Sequence, residues 1–137
     1  MKKLKVKADR NNLLKVQAFI DEQLEAADCP MATQIAIDVA VEELFINIAS
    51  YAYGGKTETA TVQVKIHKKP LSAEITFIDS GKQYDPLAEA DPDITLAAKD
   101  RKKGGLGIYM VKNSMDDVSY EYRDKKNILT IKKNLNS

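Results

Sequence analysis

The sequence has 137 residues, of which 44% are hydrophobic and 30% charged, with a formal net charge of +1. This length fits one domain with a sizeable core, and the balanced charge gives no reason to expect direct nucleic-acid or membrane binding. The single cysteine excludes an internal disulfide and a thiolate metal cluster. No signal peptide or spanning helix is expected, so we predict a single cytoplasmic domain over residues 1–137.

In chain order, apolar residues alternate in segments that predict strands and recur at helical spacing in segments that predict helices. Asn11 or Asn12 is expected to cap the first helix, and Pro30 to end it. Runs of strands beside runs of helices predict an α+β fold, a two-layer sandwich rather than a doubly wound sheet. The predicted elements are strands over 3–8, 59–67, 71–78, 118–122 and 128–132, and helices over 13–24, 32–53 and 105–115.

The helix over 32–53 organises the sequence because it is apolar nearly all round yet carries two polar pairs. Asp38 and Glu42 form one pair, and Glu43 and Asn47 form the other, each one turn apart on a helix face. A largely apolar helix is normally buried and needs only one polar stripe toward water. We assign the Asp38–Glu42 pair to solvent and the Glu43–Asn47 pair to a pocket.

The Glu43–Asn47 pair has a specific chemistry if it lies in a pocket. One amide oxygen is a suitable single protein ligand for Mg²⁺, which keeps several waters and takes other ligands from substrate phosphates. A carboxylate one turn away can act as a general base on a nucleophile beside those phosphates. The alternative is a buried polar pair with only a structural role.

An apolar strand ends at Asp79, with Gly81 two residues later. Glycine permits a close approach of the backbone to a ligand, and a buried carboxylate can accept a hydrogen bond from the exocyclic amine of a nucleobase. An ordinary strand-ending turn is the other interpretation, because aspartate and glycine are common in turns.

The segment over 82–103 is long for a connection without firm structure, and such connections are usually lids or binding loops. Within this segment, residues 94–98 are compatible with one or two helical turns. It ends in a basic run that includes Lys103, followed by Gly104, Gly105 and Gly107, which open a helix. Exposed N–H groups at a helix N-terminus bind anions, and lysines add charge for phosphate. A solvated basic stretch and a glycine cap remain the alternative.

These three motifs, in this order, resemble the GHKL (Bergerat-fold) ATPases, and most closely the anti-sigma-factor serine-protein kinases. The resemblance covers almost the whole chain. It implies the Bergerat fold, with a mixed, mostly antiparallel sheet covered on one face by helices, and ATP with Mg²⁺ as ligands. By the same resemblance Glu43 is the catalytic base, Asn47 holds the metal and Asp79 reads adenine. The other implied nucleotide-binding residues are Gly81, Lys103, Gly104, Gly105, Leu106, Gly107 and Thr130.

Two residues depart from the pattern of the superfamily. Gln83 stands where many members have a second glycine after the aspartate, and Tyr51 stands where a histidine frequently follows the asparagine. The first departure concerns contacts near the lid, and the second concerns the phosphate end of the site. The only histidine, His67, lies within a predicted strand, which argues against histidine-rich zinc sites.

The resemblance implies a serine-protein kinase that phosphorylates an antagonist (anti-anti-sigma) protein and holds a sigma factor, with a homodimer as a possible assembly. A nucleotide-dependent binding module without transferase activity is the alternative, and a domain that binds no nucleotide is a third. Glu43 favours the kinase, because a pure binding module has no need for that carboxylate.

Overall fold

The structure is a computed structural model that describes residues 1–52, 58–88 and 105–136. Three helices and five strands make up these parts of the chain. In chain order they are β1 (Lys2–Lys7), α1 (Leu13–Ala26), α2 (Met31–Tyr51), β2 (Thr59–Lys68), β3 (Leu71–Asp79), α3 (Gly105–Ser114), β4 (Asp117–Arg123) and β5 (Lys126–Asn134), with short 3-10 turns at Arg10–Asn12 and Pro86–Ala88.

The five strands form one sheet in the order β1-β2-β3-β5-β4, and every neighbouring pair is antiparallel. Alternate residues of the strands point toward the helices, where they form one core with the apolar faces of α1, α2 and α3. Burial of these side chains is the main force that holds the two layers together. The fully buried large residues include Phe45, Phe77, Ile20, Leu24, Ile37, Ile75 and Ile131.

The predicted α+β two-layer class is confirmed, and the sheet is antiparallel throughout among the described strands. Asn12 lies at the N-cap position of the first helix, as predicted, but its side chain makes no capping hydrogen bond. Asp9 accepts a hydrogen bond from the backbone N–H of Asn11 and caps the 3-10 turn, while the Asn12 amide donates to the carbonyl of Lys7. The second helix ends at Tyr51 rather than 53. The predicted turn over 94–98 lies outside the described residues.

The surroundings of helix α2 differ from the prediction on one face. Glu42 is exposed as expected, but Asp38 is half-buried against α1, where the Gln17 amide donates to its backbone carbonyl. Ile35 and Val39 instead face water, at 55% and 52% exposure. Hydropathy gives α2 almost no preferred face, so packing against α1 decides which side is covered. Among the described residues, no helix is both long and apolar enough to cross a bilayer.

Candidate functional site

The Glu43–Asn47 pair lies on the C-terminal half of α2, and both side chains are half-buried. Helical spacing brings them together: the Asn47 Nδ2 group donates to Glu43 Oε1 at 3.3 Å. Because the amide nitrogen faces the carboxylate, the amide oxygen Oδ1 remains as the atom that can accept or ligate. The pair therefore offers one basic oxygen and one neutral ligand oxygen.

The first turn of α3 packs directly on this pair. A Cβ atom added to Gly107 would overlap the carboxylate of Glu43, so a glycine here allows that carboxylate to keep its position against α3. A carboxylate at the first turn of a helix is also favoured by the helix dipole. The first and third sequence motifs are thus in contact, although 64 positions separate the two residues in the sequence (107 minus 43).

The second motif meets α2 at its C-terminal end. A Cβ atom on Gly81 would overlap the backbone carbonyl of Ala52, and the N–H of Lys82 donates to that same carbonyl at 2.9 Å. The terminal carbonyls of a helix have no partner within the helix, so this hydrogen bond satisfies one of them. Asp79, the last residue of β3, is 6% exposed. The strand-ending turn is therefore fastened to the helix that carries the Glu43–Asn47 pair.

Sequence reasoning missed Asn127, which is buried and lies opposite Asp79 in the β3–β5 register. Its amide nitrogen donates to Asp79 Oδ1 at 2.9 Å and to the carbonyl of Lys82 at 3.0 Å. Its amide oxygen accepts from the N–H of Tyr84 at 3.1 Å and from the Tyr120 hydroxyl. The alternation of the sequence could have indicated this position, since Asn127, Leu129 and Ile131 are alternate residues of β5 and all three point toward the helices.

Thr130 does not belong to this cluster, so the structure does not place it beside Asp79, where the predicted role in the adenine pocket would need it. It pairs with Thr76 across β3 and β5, and the two hydroxyls lie 3.0 Å apart. Successive residues of a strand point to opposite faces, which places Thr130 on the face of the sheet away from Asp79. Leu129, one residue earlier, points toward the helices.

The remaining predicted residues belong to the lid. Gly105 begins α3, and Leu106 lies in its first turn with 38% exposure. Lys103 and Gly104 lie outside the described residues, as does most of the predicted lid over 82–103. The structure thus brings together Glu43, Asn47, Asp79, Gly81 and Gly107 around the C-terminal half of α2.

A second group of carboxylates lies between α1 and α2, away from this site: Asp21 and Glu25 belong to α1, and Asp38 belongs to α2. The Oδ1 atoms of Asp21 and Asp38 are buried and have no hydrogen-bond partner among the described residues. Burial, together with hydrogen bonding to Asp21 and the charges of Asp21 and Glu25, raises the pKa of Asp38 to about 7. Burial and the same two aspartates also raise the pKa of the Cys29 thiol.

Comparison with known proteins agrees with this geometry. The model of the histidine kinase-like ATPase domain family matches residues 6–133. The chain belongs to this family. The serine/threonine-protein kinase BtrW of Bordetella bronchiseptica is 24% identical over 98 residues, which are 72% of this chain and 68% of BtrW. Membership of a kinase-like ATPase family implies ATP binding and, at a coarse level, phosphotransferase chemistry.

Solved structures of the same fold include a chain of a two-protein complex and a histidine kinase domain. A chain of the SiaB–SiaC complex from Pseudomonas aeruginosa has a TM-score of 0.60 at 17% identity, over 95% of this chain and 88% of that one. The blue-light activated histidine kinase EL346 from Erythrobacter litoralis has a TM-score of 0.53 at 16% identity, over 77% of this chain. This chain spans only 46% of the EL346 domain, so that comparison concerns the ATPase fold alone.

Proposed function

We propose that this protein is an ATP-dependent serine-protein kinase that phosphorylates an antagonist protein and, in its nucleotide-bound state, holds a sigma factor. One observation carries the proposal: three motifs that are far apart in the sequence meet at the C-terminal half of α2. Gly107 packs on Glu43, and Gly81 packs on the carbonyl of Ala52. The similarity to BtrW, a serine/threonine-protein kinase, supports the same reaction.

In this proposal Glu43 acts as the general base. It accepts the proton of the serine hydroxyl while that oxygen bonds to the γ-phosphorus and ADP leaves with the electrons of the broken P–O bond. The Asn47 amide holds Oε1 of Glu43 by a 3.3 Å hydrogen bond and so limits the orientations of the carboxylate. Glu42, one residue earlier, is exposed on another face and has no part in this chemistry.

The same pair fits a magnesium ion at the phosphates. Asn47 turns its nitrogen toward Glu43, which leaves Oδ1 as the single protein oxygen that Mg²⁺ requires when phosphates and waters supply the rest. Among the described residues, no group of three acidic, histidine or cysteine side chains is arranged to hold a metal ion without such help. When bound, the ion would neutralise charge on the phosphates.

Base recognition is assigned to Asp79, and phosphate binding to the start of α3. Asp79 is almost fully buried at the end of β3, where an acceptor can distinguish adenine from guanine by its exocyclic amine. The backbone N–H groups of the first turn of α3 are suited to phosphate. We expect ATP to bind much more tightly than GTP.

The test combines binding and transfer on the unaltered protein. Thermal unfolding with and without Mg-ATP should show stabilisation, because a ligand that binds only the folded state must raise the midpoint. Radiolabelled γ-phosphate should then pass to one of the small candidate antagonist proteins encoded near this gene, and a serine-to-alanine copy of that antagonist should stay unlabelled. Binding without transfer to any candidate would favour the nucleotide-dependent binding module, and the absence of both would overturn the proposal.

A further inference from the structure

Asn127 is the most completely hydrogen-bonded side chain beside the proposed nucleotide site. It is 7% exposed, and its neighbour Asp79 is 6% exposed. An asparagine amide has two N–H groups to donate and two lone pairs to accept. The short contacts to Asp79 and Lys82 use both donors, and those from Tyr84 and Tyr120 use both lone pairs.

Two backbone groups determine which end of the Asn127 amide is the oxygen and which is the nitrogen. The N–H of Tyr84 can only donate, so it must face the amide oxygen, whereas the carbonyl of Lys82 can only accept, so it must face the nitrogen. A flipped amide would lose both hydrogen bonds. Burial raises the pKa of the Tyr120 hydroxyl, which therefore stays protonated and donates to the amide oxygen.

The fixed amide of Asn127 in turn orients the carboxylate of Asp79. Its Oδ1 atom accepts both from the Asn127 amide and from the N–H of Gly81, each at 2.9 Å. Both of the hydrogen bonds described at this carboxylate thus go to one oxygen. Rotation of the carboxylate would break both, so Oδ2 remains the oxygen that is available to a ligand.

We propose that Asn127 is a positioning residue for base recognition: it holds Asp79 through Oδ1 and thereby presents Oδ2 to the exocyclic amine of adenine. This inference rests on the proposed function, in which Asp79 reads the base. Asn127 does not itself touch the nucleotide in this arrangement. Its amide also joins Asp79 to the chain at Lys82 and Tyr84, so that strand β5 and the turn after β3 hold the carboxylate together.

The test compares ATP with purine riboside triphosphate, which lacks the exocyclic amine. The unaltered protein should prefer ATP by about tenfold or more, the effect of one good hydrogen bond to a buried charged group. Asn127→Asp keeps the size and both acceptors but loses the donors. At about pH 8 its preference for ATP should fall to within about twofold of unity, while its affinity for the amine-free analogue changes little.

A pH profile of the same variant supplies a readout that a purely structural role would not move. Lowering the pH to about 5.5 should protonate one member of the new pair of acids at positions 79 and 127, because two adjacent carboxylates share a proton. That O–H can again donate to Asp79, so the preference for ATP should return in part. The preference of the unaltered protein should stay constant over this range, as should that of Asn134→Asp, a control at the far end of β5.

Tyr120→Phe provides a second test if Asn127→Asp does not fold. It removes one donor to the Asn127 oxygen at a half-buried position, so the fold should survive and the preference for ATP should fall by about two- to fivefold. An unchanged preference in the folded variants, or a parallel loss of both nucleotides, would overturn the inference while leaving the proposed function in place. If the unaltered protein binds neither nucleotide, the proposed function itself fails.

Discussion

Helix α2 carries two half-buried acids, Asp38 and Glu43, whose neighbours differ in kind. Glu43 lies beside a neutral amide and the first turn of α3, both of which accommodate a negative charge. Asp38 lies beside Asp21 and Glu25, and burial together with these two neighbours disfavours its negative charge and raises its pKa to about 7. Two carboxylates five residues apart on one helix thus have different electrostatic surroundings.

The largest expected effect tests whether Glu43 is a working base. Glu43→Gln keeps the shape and the hydrogen bond from Asn47 but cannot accept a proton, so phosphate transfer should fall by roughly 10²–10⁴-fold. Affinity for Mg-ATP should be largely retained, because the base acts mainly in the transition state. Calorimetry and a transfer assay on the same preparations measure both. Glu42→Gln, the exposed neighbour, is the matched control, and equal transfer by both variants would remove Glu43 from this role.

Gly107→Ala should act through Glu43 without unfolding the protein. The added methyl group overlaps the end of a flexible side chain, which can move, so the free energy of unfolding should change by less than about 1 kcal/mol. Transfer should fall by up to ~100-fold because the displaced carboxylate no longer meets the hydroxyl. In the Glu43→Gln background the same glycine substitution should add little, and an undiminished effect there would contradict the coupling.

Gly81→Ala is the matched contrast, since its methyl group meets the backbone carbonyl of Ala52 rather than a side chain. Backbone atoms cannot rotate away, so the free energy of unfolding should fall by about 1–3 kcal/mol. Chemical denaturation of the two alanine variants side by side measures this difference. Equal free energies of unfolding for Gly81→Ala and Gly107→Ala would show that the backbone at Gly81 and Ala52 can move apart to accommodate the methyl group, against this prediction.

Asn47→Ala removes the neutral partner that distinguishes the surroundings of Glu43. Affinity for Mg-ATP should fall by roughly 10- to 100-fold, the scale of one lost interaction with a charged group, and transfer should fall with it. Without Mg²⁺ the unaltered protein and the variant should bind ATP with similar affinity. A loss of the same size in both conditions would mean that Asn47 does not hold the ion.

The smallest effect concerns Asp38 and appears as a dependence of stability on pH. The ordinary pKa is 3.8 and the value in the folded protein is about 7, so between these limits the folded state holds a proton that the unfolded chain has lost. The free energy of unfolding therefore falls as pH rises through this window. Asp38→Asn should flatten that slope and stabilise the protein at about pH 8 by about 1 kcal/mol, after allowance for solvent screening. Glu42→Gln should keep the slope of the unaltered protein, and a steep slope in Asp38→Asn would refute the assignment.

The sequence predicted the sheet and the helix positions well because alternation and helical spacing are set by burial, which local residue order records. It failed on α2, where Asp38 was assigned to solvent but is half-buried, while Ile35 and Val39 are exposed. Nearly uniform hydropathy leaves the rotation of a helix undetermined, and contact with α1 decides it. Asn47 and Glu43 were paired correctly because their spacing alone places them together.

The unexpected positions of Asn127 and Thr130 relative to Asp79 have a different origin. The last two strands were predicted over 118–122 and 128–132, but in the segment between them only Asp124 and Lys125 have positive φ and form the turn, so β5 begins at Lys126 and Asn127 is already inside the sheet. With that register, Asn127 points toward Asp79 and Thr130 points away. Register depends on the turn geometry, which composition does not determine.

The pairing of β3 with β5 has a consequence for how the protein is made. Asp79 and Asn127 are 48 positions apart, and β5, which completes the central part of the sheet, is made after the four other described strands. Until β5 is inserted between β3 and β4, Asp79 lacks its amide partner and the inner edges of both strands are unpaired. Contacts over such separations form late because loop closure precedes them. A growing chain therefore completes the hydrogen bonds around Asp79 only after β5 has been made and paired with β3.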